Sequence, residues 1–311
     1  MRTSRIGSLE VSVIGLGGND YNSGFERVTD VVSAALDAGI TLFDSAEDYG
    51  AGKSEETLGR ALGRRRDEIV LTSKYHGLPA EVHAKAEASL RRLGTDHLDL
   101  YLLHRPVAGV PLAETLGALS ELVEEGKVRE IGFSNVDVPQ MREAAAANTS
   151  HHFVNVQGEY NLLSRRAETD VIPECAATGL AFTAYFPIYH GFLTGSFRRG
   201  GPLAPNTRLA VASEARKSAV FTDEHFDVLE ALTAIAEERG HSVLDLALAR
   251  LLAEPGVAAV IPGASLPEHA TANAAAGDWV LTPEEIAEVD RIVPYDPSSP
   301  GTPSTMNGFP V

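Results

Sequence analysis

The stretch LFDSAEDYG, Leu42 to Gly50, ends an apolar run on an acid, Asp44, with a phenol, Tyr49, close behind it. Two later apolar runs end in the same way, IVLTSK on Lys74 and LDLYLLH on His104. An acid, a phenol, an amine and an imidazole at matching strand ends can work together. Tyrosine ionises near pH ~10, too high for ready proton exchange at neutral pH, but a nearby ammonium favours the phenolate and lowers that value. Lys74 can supply the ammonium, and Asp44 can hold Lys74 through an ion pair. His104 can hydrogen-bond a carbonyl oxygen and turn it toward the tyrosine hydroxyl. Such a group suits a carbonyl that becomes an alcohol: hydride arrives at carbon, negative charge grows on oxygen, and the tyrosine supplies the proton. None of these side chains donates hydride, so the chemistry requires a nicotinamide cofactor. Taken singly, each residue also has a plainer use. Asp44 could cap the next helix, Tyr49 could cover its first turn, Lys74 could snorkel to the surface, and His104 could be a satisfied core histidine.

The elements that must position these residues read as strand, helix, strand, repeated. After a short opening pair of strands around Arg5 and Val11, strand patterns occupy 13–17, 41–45, 69–74, 98–104, 128–134, 153–157, 180–186 and 258–263. Between them, helical patterns such as 27–39, 54–63, 79–94 and 111–127 carry apolar residues at three- and four-residue spacing, most with a glycine near the end. This alternation predicts α/β architecture: an eight-stranded (β/α)8 TIM barrel, with a short N-terminal β-hairpin and a C-terminal tail, as one domain over 1–311. In such a barrel the polar strand ends all open on one face. The competing open doubly wound sheet would want a phosphate loop after its first strand. GLGG, Gly15 to Gly18, lacks the third glycine of that loop, and a tight turn after the first strand is the better reading. A Gly- and Pro-containing stretch, 187–222, exceeds a usual βα connection and reads as a lid or ligand-binding segment. The end, 295–311, is rich in Pro, Ser and Gly and reads as a tail, either disordered or covering the barrel mouth.

Composition narrows the partners. With 43 Asp and Glu against 26 Lys and Arg, the net charge of −17 opposes binding to nucleic acid or anionic membrane, so an anionic cofactor needs a locally basic site. The lone Cys175 excludes a disulfide framework and a cysteine zinc site, reads as a small buried residue on a helix, and fits a reducing cytoplasm. No metal ligands, signal peptide or membrane span are expected. The pattern leaves the oligomeric state open.

The motifs FDSAEDYG, SKYHG, DLYLLHRP, EEGKVREIGFSN, QGEYNLL and IPGASLPEHATANAAA, in this order and over nearly the whole chain, strongly resemble the aldo-keto reductases. The resemblance implies an NAD(P)H-dependent oxidoreductase that reduces an aldehyde or ketone. Tyr49 would be the proton donor, Lys74 and Asp44 would tune it, and His104 would orient the carbonyl. It also implies that Ser134, Asn135 and Gln157 bind the nicotinamide amide and that Tyr185 stacks on the nicotinamide face. Ser134 and Asn135 could equally cap the helix ahead of VPQMREAAAA, and both jobs can coexist.

Two departures from the family pattern matter. Where the family often has an arginine two places after the proline, IPGASLPEHATAN has His269, with Gly263 and Ala264 upstream. A neutral histidine holds a 2′-phosphate less well than the fork of arginine, so beside the NADP(H) that the resemblance implies as preferred cofactor, NAD(H) is kept as an alternative. Asn273 keeps the place that reads adenine, and Ser265 and Arg208 are candidate phosphate contacts. The second departure is AYFPIYHG, where Phe186 and Tyr189 make the loop after the stacking tyrosine bulky. Tyr21, His76, Arg105, Tyr189 and Phe309 are expected to line the mouth, a mix that suits a hydroxylated or aromatic carbonyl compound, sugar-like among others. Two other readings use the same residues: a cofactor-binding regulatory subunit with little turnover, and an NAD-dependent enzyme oxidising an alcohol or lactol.

Overall fold

The computed structural model describes residues 1–19, 21, 25–147, 149–203, 207 and 209–295, so Arg208, Phe309 and the tail beyond Tyr295 lie outside the described residues. The strands are β1 (Thr3–Ile6), β2 (Leu9–Ser12), β3 (Gly15–Gly17), β4 (Leu42–Asp44), β5 (Val70–Tyr75), β6 (Leu98–Leu103), β7 (Val128–Ser134), β8 (Asn155–Glu159), β9 (Ala181–Tyr185) and β10 (Val257–Ile261). The helices are α1 (Phe25–Asp37), α2 (Lys53–Leu62), α3 (Val82–Leu93), α4 (Leu112–Glu124), α5 (Val138–Ala145), α6 (Val171–Thr178), α7 (Glu214–Val220), α8 (Asp223–Glu238), α9 (Val243–Leu252), α10 (Pro267–Ala276) and α11 (Pro283–Ile292).

Strands covered on both faces are rich in apolar residues, and β5 and β6 are buried at every position, their polar Thr72, Ser73, Lys74 and Asp99 included. From β3 to β10 each strand pairs in parallel with the next. The ring closes through parallel bridges from Ile14 to Val260 and from Gly17 to Gly263, and the Gly17 amide donates to the Pro262 carbonyl at 3.1 Å. The result is a (β/α)8 barrel. Gly15 and Gly17 belong to β3 itself rather than to a turn. A Cβ on Gly15 would press on Leu42 and Ile261 at 3.2–3.3 Å, and the turn starts only at Gly18, whose carbonyl accepts from the Tyr21 amide.

Alternation along each strand separates two cores. Phe43, Leu71, Tyr101 and Phe133 point outward into the large cluster under the helices. Leu42, Val70, Leu100, Leu102 and Ile261 point inward and form a second cluster with Ile6, Leu9 and Val11 of the hairpin, which plugs the N-terminal end of the barrel. The interior is tight enough that β7 needs glycine at 132: a Cβ there would meet the Asn155 carbonyl at 2.6 Å and Leu102 at 2.7 Å. Continuing the same alternation upward places Asp44, Lys74, His104, Ser134, Gln157 and Tyr185 inside the C-terminal mouth.

The stretch 187–222 is more structured than an open lid. Its described part contains α7, capped by Ser213, whose hydroxyl accepts from the Arg216 amide. Phe192, Phe197 and Phe221 pack with Phe226 of α8 at ring separations of 5.2–6.2 Å. Glycine and proline punctuation hid this aromatic cluster from the sequence pattern. Cys175 is buried on α6, and burial pushes its thiol up to about 12.

Candidate active site

The four strand-end residues converge. The Lys74 ammonium, fully buried, donates to Asp44 Oδ1 at 2.5 Å and to the Ser45 carbonyl at 2.9 Å, and lies 3.4 Å from the Tyr49 hydroxyl. Burial alone would lower its pKa, but Asp44 and then Tyr49 outweigh that and hold it above the ordinary lysine value. The second Asp44 oxygen accepts from Gln157 Nε2 at 2.9 Å, so the carboxylate bridges β5 and β8. Asp44 is therefore not a helix cap, since Gly52 is the N-cap of α2 with no side-chain cap, and Lys74 does not snorkel to the surface, since it reaches no solvent. The His104 ring stands edge-on to Tyr49 at 5.7 Å. Burial pushes the His104 imidazolium below the ordinary histidine range, with Asp48 opposing and Lys74 and Arg105 assisting.

The loop carrying Tyr49 is fixed from outside the barrel by the first turn of α2. Ser54 Oγ lies 2.9 Å from Ser45 Oγ and donates to the Gly18 carbonyl at 2.7 Å, while the Ser54 amide donates to the Tyr49 carbonyl. Next to it, fully buried Glu55 accepts from Ser73 Oγ and Arg92 Nε, both at 2.5 Å. Ser73 precedes Lys74 on β5. Neighbouring residues of one helical turn therefore hold the chain on both sides of the Tyr49–Lys74 contact.

A second polar cluster lies beside the first. Ser134 Oγ donates to the Gln157 carbonyl at 3.0 Å, and Asn135 Nδ2 donates to the His104 carbonyl at 2.9 Å and to Ser134 Oγ at 3.0 Å. The Tyr185 hydroxyl donates to Asn135 Oδ1 at 2.7 Å, which holds its ring at the rim. The cap of α5 is Asp137, in a reciprocal pair with Gln140, so Ser134 and Asn135 are not the cap. Gly263, Ser265 and His269 are exposed on the β10–α10 side, with Ser265 Oγ 3.2 Å from His269 Nδ1. Buried Asn273 donates to the Gly263 carbonyl at 3.2 Å. The N-terminus of α10 has no side-chain cap. Among the described residues, no group of three or more His, Cys, Asp or Glu could hold a metal ion.

The mouth candidates divide. His76 is exposed and Arg105 half-buried, but Tyr21 and Tyr189 are sealed at 3% and 1% exposure, so their rings pack rather than line an open surface. Phe186, Tyr189 and His190 all take left-handed backbone, with φ of 61°, 44° and 58°. Bulky residues in that region are strained. They brace one another, with Phe186 and His190 rings 4.3 Å apart and Tyr189 against His225 at 5.6 Å.

Three residues near the site were not read from the sequence: Asp48, Glu55 and Glu159. All fall inside or next to motifs, but their partners come from other strands and helices. Glu159, in register with Tyr185, follows Gln157 on the inward face of β8. Its Oε1 is buried with no hydrogen-bond partner, and burial raises its carboxyl to about 7, with Ser164 opposing. Because the folded protein favours the protonated acid, the stabilising contribution is complete below about pH 4.5 and is lost as pH rises through about 7. Glu159→Gln should therefore raise the unfolding midpoint at about pH 8, by the equivalent of about 2–3 kcal/mol, and change it little at about pH 4. Thermal unfolding at the two pH values checks this.

Residues 13–294 match the model of the aldo/keto reductase family. The chain belongs to that family. Among its relatives, the aldo-keto reductase YhdN of Bacillus subtilis (strain 168) is 31% identical, over 96% of this chain and 95% of YhdN. An aldo-keto reductase of Klebsiella pneumoniae, solved in complex with NADPH, is 35% identical with a TM-score of 0.78, over 95% of this chain and 96% of that one. The glycerol dehydrogenase of Gluconobacter oxydans superposes with a TM-score of 0.83 at 27% identity, over 95% and 98% of the two chains. No helix among the described residues is long and apolar enough to cross a membrane.

Proposed function

We propose that the protein reduces an aldehyde or ketone to an alcohol, with NADP(H) as first cofactor and NAD(H) as second. The observation that carries this reading is the Lys74 ammonium held by Asp44 at 2.5 Å and facing the Tyr49 hydroxyl at 3.4 Å, at the open end of the barrel. The nicotinamide cofactor supplies the hydride when bound. Ser134, Asn135 and Gln157 would hold its amide, with Tyr185 against the ring. The hydrogen bonds linking Asn135, Ser134 and Tyr185 show that these polar groups already face one another. At the other end, Ser265, His269, Asn273 and the uncapped N-terminus of α10 suit the adenosine phosphate, since a helix start offers free N–H groups to anions.

In this reading His104 hydrogen-bonds the carbonyl oxygen and orients it toward Tyr49. As charge grows on that oxygen, the Tyr49 hydroxyl transfers its proton, and the adjacent Lys74 ammonium stabilises the phenolate that remains. Asp44 fixes the ammonium and keeps it charged. The packing of Phe186 and Tyr189 shapes the substrate side, and hydroxylated or aromatic carbonyl compounds fit its mix of polar and aromatic groups.

Titration with NADPH and NADH, followed by nicotinamide fluorescence, and then a panel of aldehydes, ketones and sugars tests the reading. Substrate-dependent oxidation of the bound nucleotide is expected. Tight binding with no oxidation by any compound would overturn the reductase in favour of a cofactor-binding subunit. His269→Arg should tighten NADPH binding by about 10- to 100-fold with little change for NADH, because a charge-assisted bond to the 2′-phosphate adds about 1.5–3 kcal/mol. The same titration reads it.

A further inference from the structure

Asp48, the residue before Tyr49, reaches the ring of His104. Its Oδ2 stands 3.2 Å from His104 Nδ1, off the line of a formed hydrogen bond but within direct electrostatic contact. The His104 ring is almost wholly sealed and lies at the inner end of β6. Around it the titratable groups are Asp48 and Tyr49 from the β4–α2 loop, Lys74 from β5, and Arg105 beside it in the chain. Asp48 in turn faces His104, His76 and Lys85. The imidazole against Asp48 holds that carboxyl below its usual range, so it is ionised at neutral pH.

An ionised carboxylate only accepts hydrogen bonds. A ring nitrogen 3.2 Å from it is favoured when it carries hydrogen and disfavoured when it presents a lone pair. A neutral imidazole has one N–H to place. With that hydrogen on Nδ1, Nε2 keeps a lone pair, which would face the lone pairs of a carbonyl oxygen.

We infer that Asp48 is a positioning residue that fixes His104 in its Nδ1–H form, so that the ring donates to a substrate carbonyl from Nε2 only after taking a second proton. The inference rests on the proposed role of His104 toward the carbonyl. The second proton comes from water and stays on the imidazolium, which only donates a hydrogen bond. The proton transferred to the product oxygen is that of Tyr49. Burial, Lys74 and Arg105 work against the imidazolium, and Asp48 works for it. Reduction is accordingly strongest on the acid side of the histidine range and declines as pH rises through it. An asparagine at 48 removes the charge and can turn either its amide N–H or its amide oxygen to Nδ1, so the requirement for Nδ1–H is lifted, the single ring hydrogen is free to move to Nε2, and the neutral ring can then serve the carbonyl.

The test uses the full-length protein and Asp48→Asn, with two readouts. Long-range 1H–15N spectra, with the His104 signals assigned by their loss in His104→Gln, report which nitrogen carries hydrogen in the neutral ring. Nδ1–H is expected in the wild type, and a population of Nε2–H is expected to appear in D48N. Profiles of kcat/KM for carbonyl reduction from about pH 5 to 8 should fall in the wild type and flatten in D48N, the gap widening about tenfold per pH unit beyond the titration. Neutral Nε2–H in the wild type, or an Nδ1–H preference undiminished in both D48N and Asp48→Ala, overturns the inference. A tautomer that switches while the two profiles superimpose keeps Asp48 as the tautomer-setting group and removes His104 from the substrate carbonyl, which is the failure of the proposed function instead. Asp48→Ala guards against a folding defect in D48N: it removes the carboxylate without adding a donor, and its His104 should lose the Nδ1–H preference. A loss of stability alone, with tautomer and profile as in the wild type, would leave Asp48 a merely structural residue.

Discussion

Tyr49→Phe should cut carbonyl reduction by about 10²–10⁴-fold, the usual contribution of a placed general acid. The ring that remains keeps its edge contact with His104 at 5.7 Å and its place beneath the Lys74 ammonium, 5.0 Å from the ring centre. Lys74 keeps Asp44 and the Ser45 carbonyl as partners. The fold and nucleotide binding are therefore expected to survive, and the loss should appear in kcat rather than in the fluorescence titration. Turnover at the wild-type rate would take Tyr49 out of the chemistry, whereas loss of binding together with turnover would point to a collapsed loop.

Lys74→Met should lower stability by about 3–5 kcal/mol, because it leaves Asp44 as an uncompensated buried charge. Gln157 would be its one strong remaining donor. Denaturant unfolding at neutral pH reads the loss. Adding Asp44→Asn should recover much of the stability, since a buried pair removed together leaves no stranded charge. It should not recover reduction, because the positive charge beside the Tyr49 oxygen is still missing. A double variant as unstable as the single one would show that the ion pair is not what links these two residues.

The barrel was legible because its strands are covered on both faces. Segments such as Val70–Tyr75 and Leu98–Leu103 carry no solvent face, so they read as short β-rich runs without regular polar alternation, with Thr72, Ser73, Lys74 and Asp99 as their polar members. At or next to their C-terminal ends stand Lys74 and His104, as Asp44 ends β4, which made the three visible as a set before any contact was known. The contacts themselves were not visible. Asp48 and His104 lie far apart in the chain, and the pairing of β4 with β5 and of β5 with β6, with the close of the β4–α2 loop, brings them together. Glu55 looked like an ordinary acid in the first turn of a helix, where charge suits the dipole. Its burial against Ser73 and Arg92 depends on how α2 and α3 pack. Helix α7 was hidden for a different reason: glycine and proline mark where a chain turns, and they hide short helices between the turns.

The hairpin of Ile6, Leu9 and Val11 has a consequence beyond support of the sheet. It insulates one end of the barrel, so traffic of protons and water with the buried Asp44–Lys74 pair is confined to the opposite end. Under the proposed function, a proton consumed at Tyr49 would be replenished past the same rim that would admit the nucleotide and the carbonyl compound. In that reading, whatever occupies the rim would also set the rate at which the acid is recharged.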